Sequence, residues 1–208
     1  GLKVIQMIRD PRDRYEASLA RWPKGKGRAG GATARWIYST DLAERNLNRY
    51  PDHYKIVRFE SLIYSTEDVL GEVCDFLDEP FIPEMLAMPG AQKHRDRLVG
   101  DRDLAPDACP LSSQYIGQYR GKVPTQEIAF MQLYAGRRMR AYGYTLERLP
   151  YSGRDWALFY LTALPNQWLR MFAWRSVETV QHNFARLVGR KPGKRMIMDS
   201  PIDSAKVA

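Results

Sequence analysis

A short apolar run that ends at a proline constrains the fold of this chain more than any other feature. Val4–Ile8 is nearly continuous in apolar residues, which is typical of a strand buried on both faces of a parallel sheet. Pro11 has no backbone N–H and cannot continue a ladder, but it fits the first turn of a helix. With Asp10 as the N-cap, we predict a helix that runs to about residue 22.

The alternation of strand and helix continues along the chain. Apolar spacing predicts a helix over residues 33–49, a strand over 54–59 and a helix over 66–77. Because strands separated by long crossovers pair in parallel, this order indicates an α/β fold: a parallel sheet flanked by helices. A later helix, over residues 125–142, is predicted to end at Gly143.

Charge and composition restrict the functional class. The 208 residues carry a formal net charge of +8, and residues 151–208 hold nine Lys and Arg against four Asp and Glu. The rest of the chain is close to neutral, so we expect no nucleic-acid partner. No apolar run is long enough for a transmembrane helix. Two cysteines, Cys74 and Cys109, favour a reducing compartment, so we expect a cytoplasmic protein in which Cys74 is a buried thiol.

Residues 23–31 form a basic, glycine-rich segment that superficially resembles a phosphate-binding loop. A Walker A loop ends in Gly-Lys followed by Ser or Thr. Here Gly30 is followed by Gly31 and Ala32, so both the lysine and the hydroxyl are missing. We therefore predict a mobile surface loop for this segment, and a second long loop over residues 88–113.

The tail contains an amphipathic helix. Pro165 is predicted to end a first helical segment and Asn166 to cap a second one. The predicted apolar face of this second helix consists of Leu169, Ala173, Val177, Val180, Phe184 and Leu187. Such a basic, aromatic helix can lie on an anionic membrane, on its own domain or on another subunit, and amphipathicity alone favours packing. Peripheral membrane contact or a homo-oligomer through residues 155–190 stays open as a partner hypothesis.

Two groups of polar residues are suited to binding an anion. The first is the turn after the initial strand, with Arg9 and Arg12, and Ser18 further along the helix. The second is Arg120-Gly121-Lys122. Guanidinium groups hold phosphate oxygens with paired hydrogen bonds, and helix N-terminal amides add donors. A structural role is equally open, in which the arginines of the turn pair with the acidic residues at positions 10, 13 and 60.

Five segments, in this order, resemble those of sulfotransferases that use 3′-phosphoadenosine 5′-phosphosulfate (PAPS). The first, residues 3–13 with Ser18 downstream, resembles the family's 3′-phosphate-binding segment. Residues 56–62 resemble its R-[YF]-E-x-L turn and residues 73–77 its x-C-x-F-L helix end. Residues 116–122 resemble the basic loop that closes over the nucleotide, and residues 139–144 the end of the closing helix. The resemblance spans about residues 2–145.

This resemblance implies a P-loop NTPase-like three-layer fold and transfer of a sulfuryl group from PAPS, as cosubstrate, to a hydroxyl or amine acceptor of unknown identity. It implies that Arg9 binds the ribose 3′-phosphate and that Arg120, Gly121 and Lys122 cover it. Ser18 is carried over as a further phosphate ligand, although the family's serine stands one residue earlier. No metal is expected.

The family's first strand and 5′-phosphosulfate loop have no counterpart in this sequence, and we expect them upstream of Gly1. We divide the chain into a sulfotransferase-like domain over residues 1–149 and a basic helical extension over 150–208. The catalytic residues stay unassigned, and a structural or merely exposed role is expected for the histidines, His53, His94 and His182. The alternative function is a non-catalytic sulfotransferase-like subunit that acts as an assembly or membrane-surface module. A nucleotide kinase is less favoured because the Walker lysine is missing.

Overall fold

The computed structural model describes residues 2–21, 27–87 and 113–187. The chain is mostly helical, at about 70%, and the helices accompany a two-stranded parallel sheet. The mixed α/β character predicted from the alternating pattern is therefore confirmed. The predicted loop over residues 88–113 lies outside the described residues, except for residue 113. The part of the predicted tail beyond residue 187 lies outside them as well.

The elements follow one another in a simple order. The strands are β1 (Val4–Ile8) and β2 (Tyr54–Arg58). The helices are α1 (Pro11–Arg21), α2 (Ala29–Arg49), α3 (Phe59–Tyr64), α4 (Thr66–Leu77), α5 (Glu84–Ala87), α6 (Thr125–Ala141), α7 (Gly153–Leu158) and α8 (Leu164–Leu187). Short 3₁₀ turns occupy Pro51–His53 and Ser113–Tyr115, and a π turn, Phe159–Ala163, joins α7 to α8.

The sheet is more open than the sequence pattern predicts. β1 and β2 pair in parallel, with Ile8 opposite Arg58. Ile8 is buried, but Met7 is 52% exposed, and Val4 and Ile5 are exposed as well. The prediction that β1 is buried on both faces is therefore wrong. Within the described residues the sheet has two strands, and no further element covers these three side chains.

The turn that follows β1 has the predicted geometry. The Asp10 carbonyl accepts the first helical hydrogen bond, from Arg14 N at 2.9 Å. Asp10 Oδ1 accepts a second one from Arg12 N, also at 2.9 Å. Asp10 is thus the N-cap of α1, and Pro11 is its first residue, where a missing N–H costs no hydrogen bond.

Helix α2 lies at the centre of the fold and packs against α6 and α8. Its Trp36 side chain is 2% exposed and belongs to a core cluster with Ile8 of β1 and Met139 of α6. Trp36 Nε1 also donates to the Arg9 carbonyl at 2.9 Å, which ties α2 to the carboxyl end of β1. Cys74 of α4 is buried, so its predicted role as a core thiol is confirmed.

The glycine-rich segment is only partly a loop. Residues 22–26 lie outside the described residues, but α2 already begins at Ala29, so Gly30 and Gly31 lie in its first turn. A Cβ at Gly30 would lie 1.9 Å from the Gln167 carbonyl oxygen of α8. Glycine is needed here because the backbones of α2 and α8 approach each other too closely for any side chain. Gln167 Oε1 accepts a hydrogen bond from Gly30 N at 2.7 Å across this contact.

The tail packs on the domain, but not through the predicted face. Its contact side carries Gln167, Met171 and Trp174, which meet α2 and the buried Phe159 cluster. Leu169 and Val177 of the predicted apolar face are 61% and 55% exposed. The close backbone contact at Gly30 fixes α8 with Gln167 inward, and this turns the more apolar side outward. Pro165 does not end a helix: the backbone at Leu158, Phe159 and Leu164 is helical, so α7, the π turn and α8 follow one another without a break. Pro165 lies directly after the π turn, which is one of the irregularities that accompany a proline inside a helix.

Candidate functional site

Arg9 lies at the carboxyl end of β1, the edge where ligands bind in open α/β sheets. Its guanidinium stacks on the Phe59 ring, with Cζ 4.6 Å from the ring centroid. One Nη group donates to the Tyr115 carbonyl at 2.5 Å. Arg9 Nε is buried and has no hydrogen-bond partner. The side chain is therefore held in place and keeps a donor group that is not used by the protein.

Arg12 has the structural role that the sequence left open. It is 2% exposed and forms a buried ion pair with Asp10, with Nη2 and Oδ2 2.6 Å apart. The remaining donors reach Gln132 Oε1 and the Thr145 carbonyl. Burial by itself lowers the pKa of Arg12, but the hydrogen bond and charge of Asp10 raise it overall. The donors of Arg12 are used by the protein, which leaves Arg9 as the candidate anion ligand of this turn.

Residues 113–124, which we call the basic loop, are anchored on the start of α1 by Asp13. Gly117 N donates to Asp13 Oδ2 at 2.7 Å and Tyr119 N donates to Oδ1 at 3.1 Å. Gly117 has φ +75, a left-handed conformation that favours glycine. Burial raises the pKa of Asp13, and the two backbone hydrogen bonds oppose this rise. A carboxylate that accepts two amides thus brings the loop to the turn that carries Arg9.

Arg120 and Lys122 of the basic loop are exposed and already have carboxylate neighbours. Arg120 Nε lies 2.5 Å from Glu147 Oε1, and Lys122 Nζ lies 3.1 Å from Glu16 Oε1. The two basic side chains are 64% and 55% exposed. Gly121 stands between them with φ +72, which gives the loop its sharp bend.

The loop borders a cleft of about 600 Å³, lined by residues 120–125 and 147–150 together with Ile128. Glu147 lies in this cleft and accepts a hydrogen bond from the Tyr119 hydroxyl at 2.7 Å. Partial burial works against ionisation, but the hydrogen bonds from Tyr119 and Arg120 lower the pKa of Glu147. The cleft therefore contains both positive and negative side chains, and Glu147 balances the charge of Arg120.

Ser18 is placed away from the other predicted ligands. It is exposed, and its hydroxyl donates to the Tyr15 carbonyl within α1 at 2.7 Å. It lines a cavity formed with α2 and α8, whose lining residues include neither Arg9 nor the basic loop. The structure therefore brings together the Arg9 turn and the basic loop, but it does not bring Ser18 to them.

Sequence reasoning missed the residues that assemble the site. Asp13 anchors the basic loop through backbone amides, and Glu147 pairs with Arg120; neither contact follows from a side-chain motif. The available signal was Gly117, since a glycine in a basic segment indicates a bent backbone with unpaired amides. Among the histidines, His53 lies in the turn before β2 beside an apolar cavity. His94 and the side chain of His182 lie outside the described residues.

The fold and these contacts define a class: a mixed α/β protein with a basic loop docked at the carboxyl end of a parallel strand. Comparison of the chain with protein-family models, with curated proteins and with solved structures found no match. Over residues 2–21, 27–87 and 113–187, no helix is long and apolar enough to cross a membrane. In the same ranges, no group of three or more His, Cys, Asp or Glu side chains is arranged to hold a metal ion.

Proposed function

We propose that this chain carries the 3′-phosphate-binding part of a PAPS-dependent sulfotransferase with a P-loop NTPase-like fold. The observation that supports the proposal is the docking of the basic loop on the turn that carries Arg9. Two segments that are more than a hundred residues apart meet there, through the Arg9–Tyr115 and Gly117–Asp13 hydrogen bonds. Both segments belong to the motif order that resembles the family.

In this proposal Arg9 binds the ribose 3′-phosphate at the carboxyl end of β1. Its stacking on Phe59 holds the guanidinium plane, and the Nη hydrogens that the Tyr115 carbonyl does not accept supply donors for a phosphate oxygen. The N-terminal end of α1, which begins beside it at Pro11, adds the favourable dipole of a helix start. The proposal assigns no phosphate contact to Ser18, because its hydroxyl hydrogen is used within α1.

Arg120, Gly121 and Lys122 cover the nucleotide in this proposal. Their carboxylate neighbours do not prevent this, because exposed ion pairs contribute only about 0–1 kcal/mol and exchange readily. The two cations can therefore turn from Glu147 and Glu16 to a more highly charged phosphate. Bound PAPS supplies the sulfuryl group for an in-line transfer to the acceptor oxygen or nitrogen. The residues of this chain bind and orient the nucleotide and balance its charge.

The proposal is tested by calorimetric titration of the chain with adenosine 3′,5′-bisphosphate. Arg9→Gln is expected to weaken binding about tenfold or more, since a hydrogen bond to a charged group contributes about 1.5–3 kcal/mol. Arg49→Gln, at the end of α2 and away from the turn, is the matched control and should bind as the unchanged chain does. Absence of measurable binding by the unchanged chain would contradict the proposal.

A second candidate function is a non-catalytic module that lies on an anionic membrane surface through α7 and α8. The supporting observation is the outward side of this segment, where Leu161, Leu169 and Phe172 are 75%, 61% and 57% exposed. Arg175 lies on the same exposed part of α8, and the tail as a whole is basic. Exposed aromatic and aliphatic side chains beside arginine are typical of helices in the lipid interface.

This candidate is tested by sedimentation with phosphatidylcholine vesicles that contain or lack phosphatidylserine. The chain is expected to sediment with the anionic vesicles, and Leu169→Gln with Phe172→Gln should reduce this. Leu133→Gln, at a leucine of α6 that is 50% exposed, should not reduce it. If gel filtration instead finds a dimer that the double variant abolishes, while vesicle binding is absent, the surface serves a homo-oligomer and the membrane candidate is wrong.

A further inference from the structure

A cavity between α1, α2 and α8 gathers three arginines at a place that the proposed nucleotide site does not use. The cavity has a volume of about 470 Å³, and its lining includes Tyr15, Ser18, Arg28, Arg35, Arg170 and Trp174. We call it the arginine pocket. It has no residue in common with the Arg9 turn or with the basic loop.

The positive charge in the arginine pocket is not balanced by its own lining. Among the residues that the structure describes, no aspartate or glutamate lines it. Among the described residues, none of the ion pairs includes Arg28, Arg35 or Arg170. Arg170 Nε donates to Asn166 Oδ1 at 3.1 Å, which leaves its two Nη groups. A fourth cation lies near Arg35, because burial and then the charge of Arg35 lower the pKa of Arg14 on α1.

The walls of the pocket are held by contacts between helices. The Arg28 amide donates to the Tyr15 hydroxyl at 3.1 Å, which links the start of α2 to α1. Gln167 accepts from Gly30 N and donates to the Gly27 carbonyl at 3.0 Å, which fixes α8 on the same helix end. The Arg35 guanidinium lies 5.9 Å from the centroid of the Trp174 ring. The three arginines are thus presented from a preformed frame.

We propose that the arginine pocket binds a phosphate or sulfate group of a soluble ligand. A guanidinium fork matches the oxygens of a tetrahedral oxyanion, and three such cations face a group that carries up to two negative charges. The Glu127 carboxylate near the pocket accepts a hydrogen bond from the Tyr15 hydroxyl, and none of the described ion pairs includes the three arginines, so the anion displaces no described carboxylate from them when it binds. The pocket also lies at the N-terminal end of α2, whose dipole adds to the attraction. This inference does not depend on the proposed sulfotransferase function.

The test is a calorimetric titration of the chain with inorganic phosphate at constant ionic strength. Arg35→Gln with Arg170→Gln should weaken phosphate binding at least tenfold, because each arginine supplies charge-assisted hydrogen bonds. Arg45→Gln with Arg175→Gln removes two exposed arginines from the same helices, α2 and α8, but outside the pocket, and should leave the affinity unchanged. Equal affinity of the two double variants would overturn the assignment.

The pocket and the proposed nucleotide site are separated by the Arg9→Gln variant. We expect Arg9→Gln to keep the phosphate affinity of the arginine pocket, and the pocket double variant to keep binding of adenosine 3′,5′-bisphosphate. Loss of phosphate binding in Arg9→Gln, with wild-type affinity in the pocket double variant, would place the only phosphate site at the turn and overturn the inference. Thermal unfolding followed by circular dichroism verifies that each variant is folded.

Discussion

The two arginine-rich regions of this molecule differ in what surrounds their charges. At the turn and the basic loop, Arg12 pairs with Asp10 and Arg120 with Glu147. In the arginine pocket, the described part of the lining has three arginines and no carboxylate. Counting arginines in the sequence does not separate these cases. In the first region a buried pair holds Arg12 and exposed pairs hold Arg120 and Lys122, whereas none of the described ion pairs includes an arginine of the second region.

The largest effect is expected for the buried ion pair of the turn. Arg12→Ala leaves the Asp10 carboxylate buried without its partner, and this should lower the free energy of unfolding by about 3–5 kcal/mol. Arg120→Ala removes an exposed pair and should cost no more than about 1 kcal/mol. Urea unfolding of both variants measures the difference. Equal losses would contradict the distinction between a structural and an exchangeable arginine.

An intermediate effect is expected where α8 meets the start of α2. Gly30→Ala places a Cβ against the Gln167 carbonyl, so the two helices must separate, at a cost of about 1–3 kcal/mol. Gly71→Ala in α4 meets no atom within 4 Å and should stabilise the protein by about 0.5–1 kcal/mol. Because Gly30 lies beside the arginine pocket, its variant should also weaken phosphate binding while leaving nucleotide binding unchanged. If Gly30→Ala left the free energy of unfolding unchanged, α2 and α8 could not pack this closely.

The smallest effect concerns the pH dependence of the exposed pair. The folded-state pKa of Glu147 is lowered from 4.5, so its contribution to stability is present above that pH. It is lost as the pH falls through the lower folded-state pKa. At pH 7 the free energy of unfolding of the unchanged chain should therefore be higher than that of Glu147→Gln by at most about 1 kcal/mol. This difference should disappear in acid. Urea unfolding at several pH values between neutral and acid tests this; a difference that does not change with pH would contradict the pairing.

Local patterns predicted much of the backbone correctly. The apolar run of β1, the cap at Asp10 and the bounds of α4 follow from residues that are close together in the sequence. The orientation of α8 did not, because the contact between Gly30 and Gln167 decides it. Hydrophobic periodicity placed Leu169 on the apolar face of this helix, and the structure leaves that residue exposed while Gln167 and Met171 are buried.

The candidate site was predictable in part. Arg9 stands at a strand end, and the sequence pattern located it there. The meeting of the basic loop with this turn depends on two backbone amides and Asp13, which no side-chain spacing indicates. The arginine pocket combines Arg35 with Arg170, from helices far apart in the chain, so only the tertiary structure reveals it.

The most direct test of the central proposal compares two nucleotides that differ only in the 3′-phosphate. Calorimetric titration should give at least about tenfold tighter binding of adenosine 3′,5′-bisphosphate than of adenosine 5′-phosphate. In Arg9→Gln this preference should nearly vanish, since the variant removes the side chain that we assign to the 3′-phosphate. Equal affinity of the unchanged chain for the two nucleotides would contradict the account.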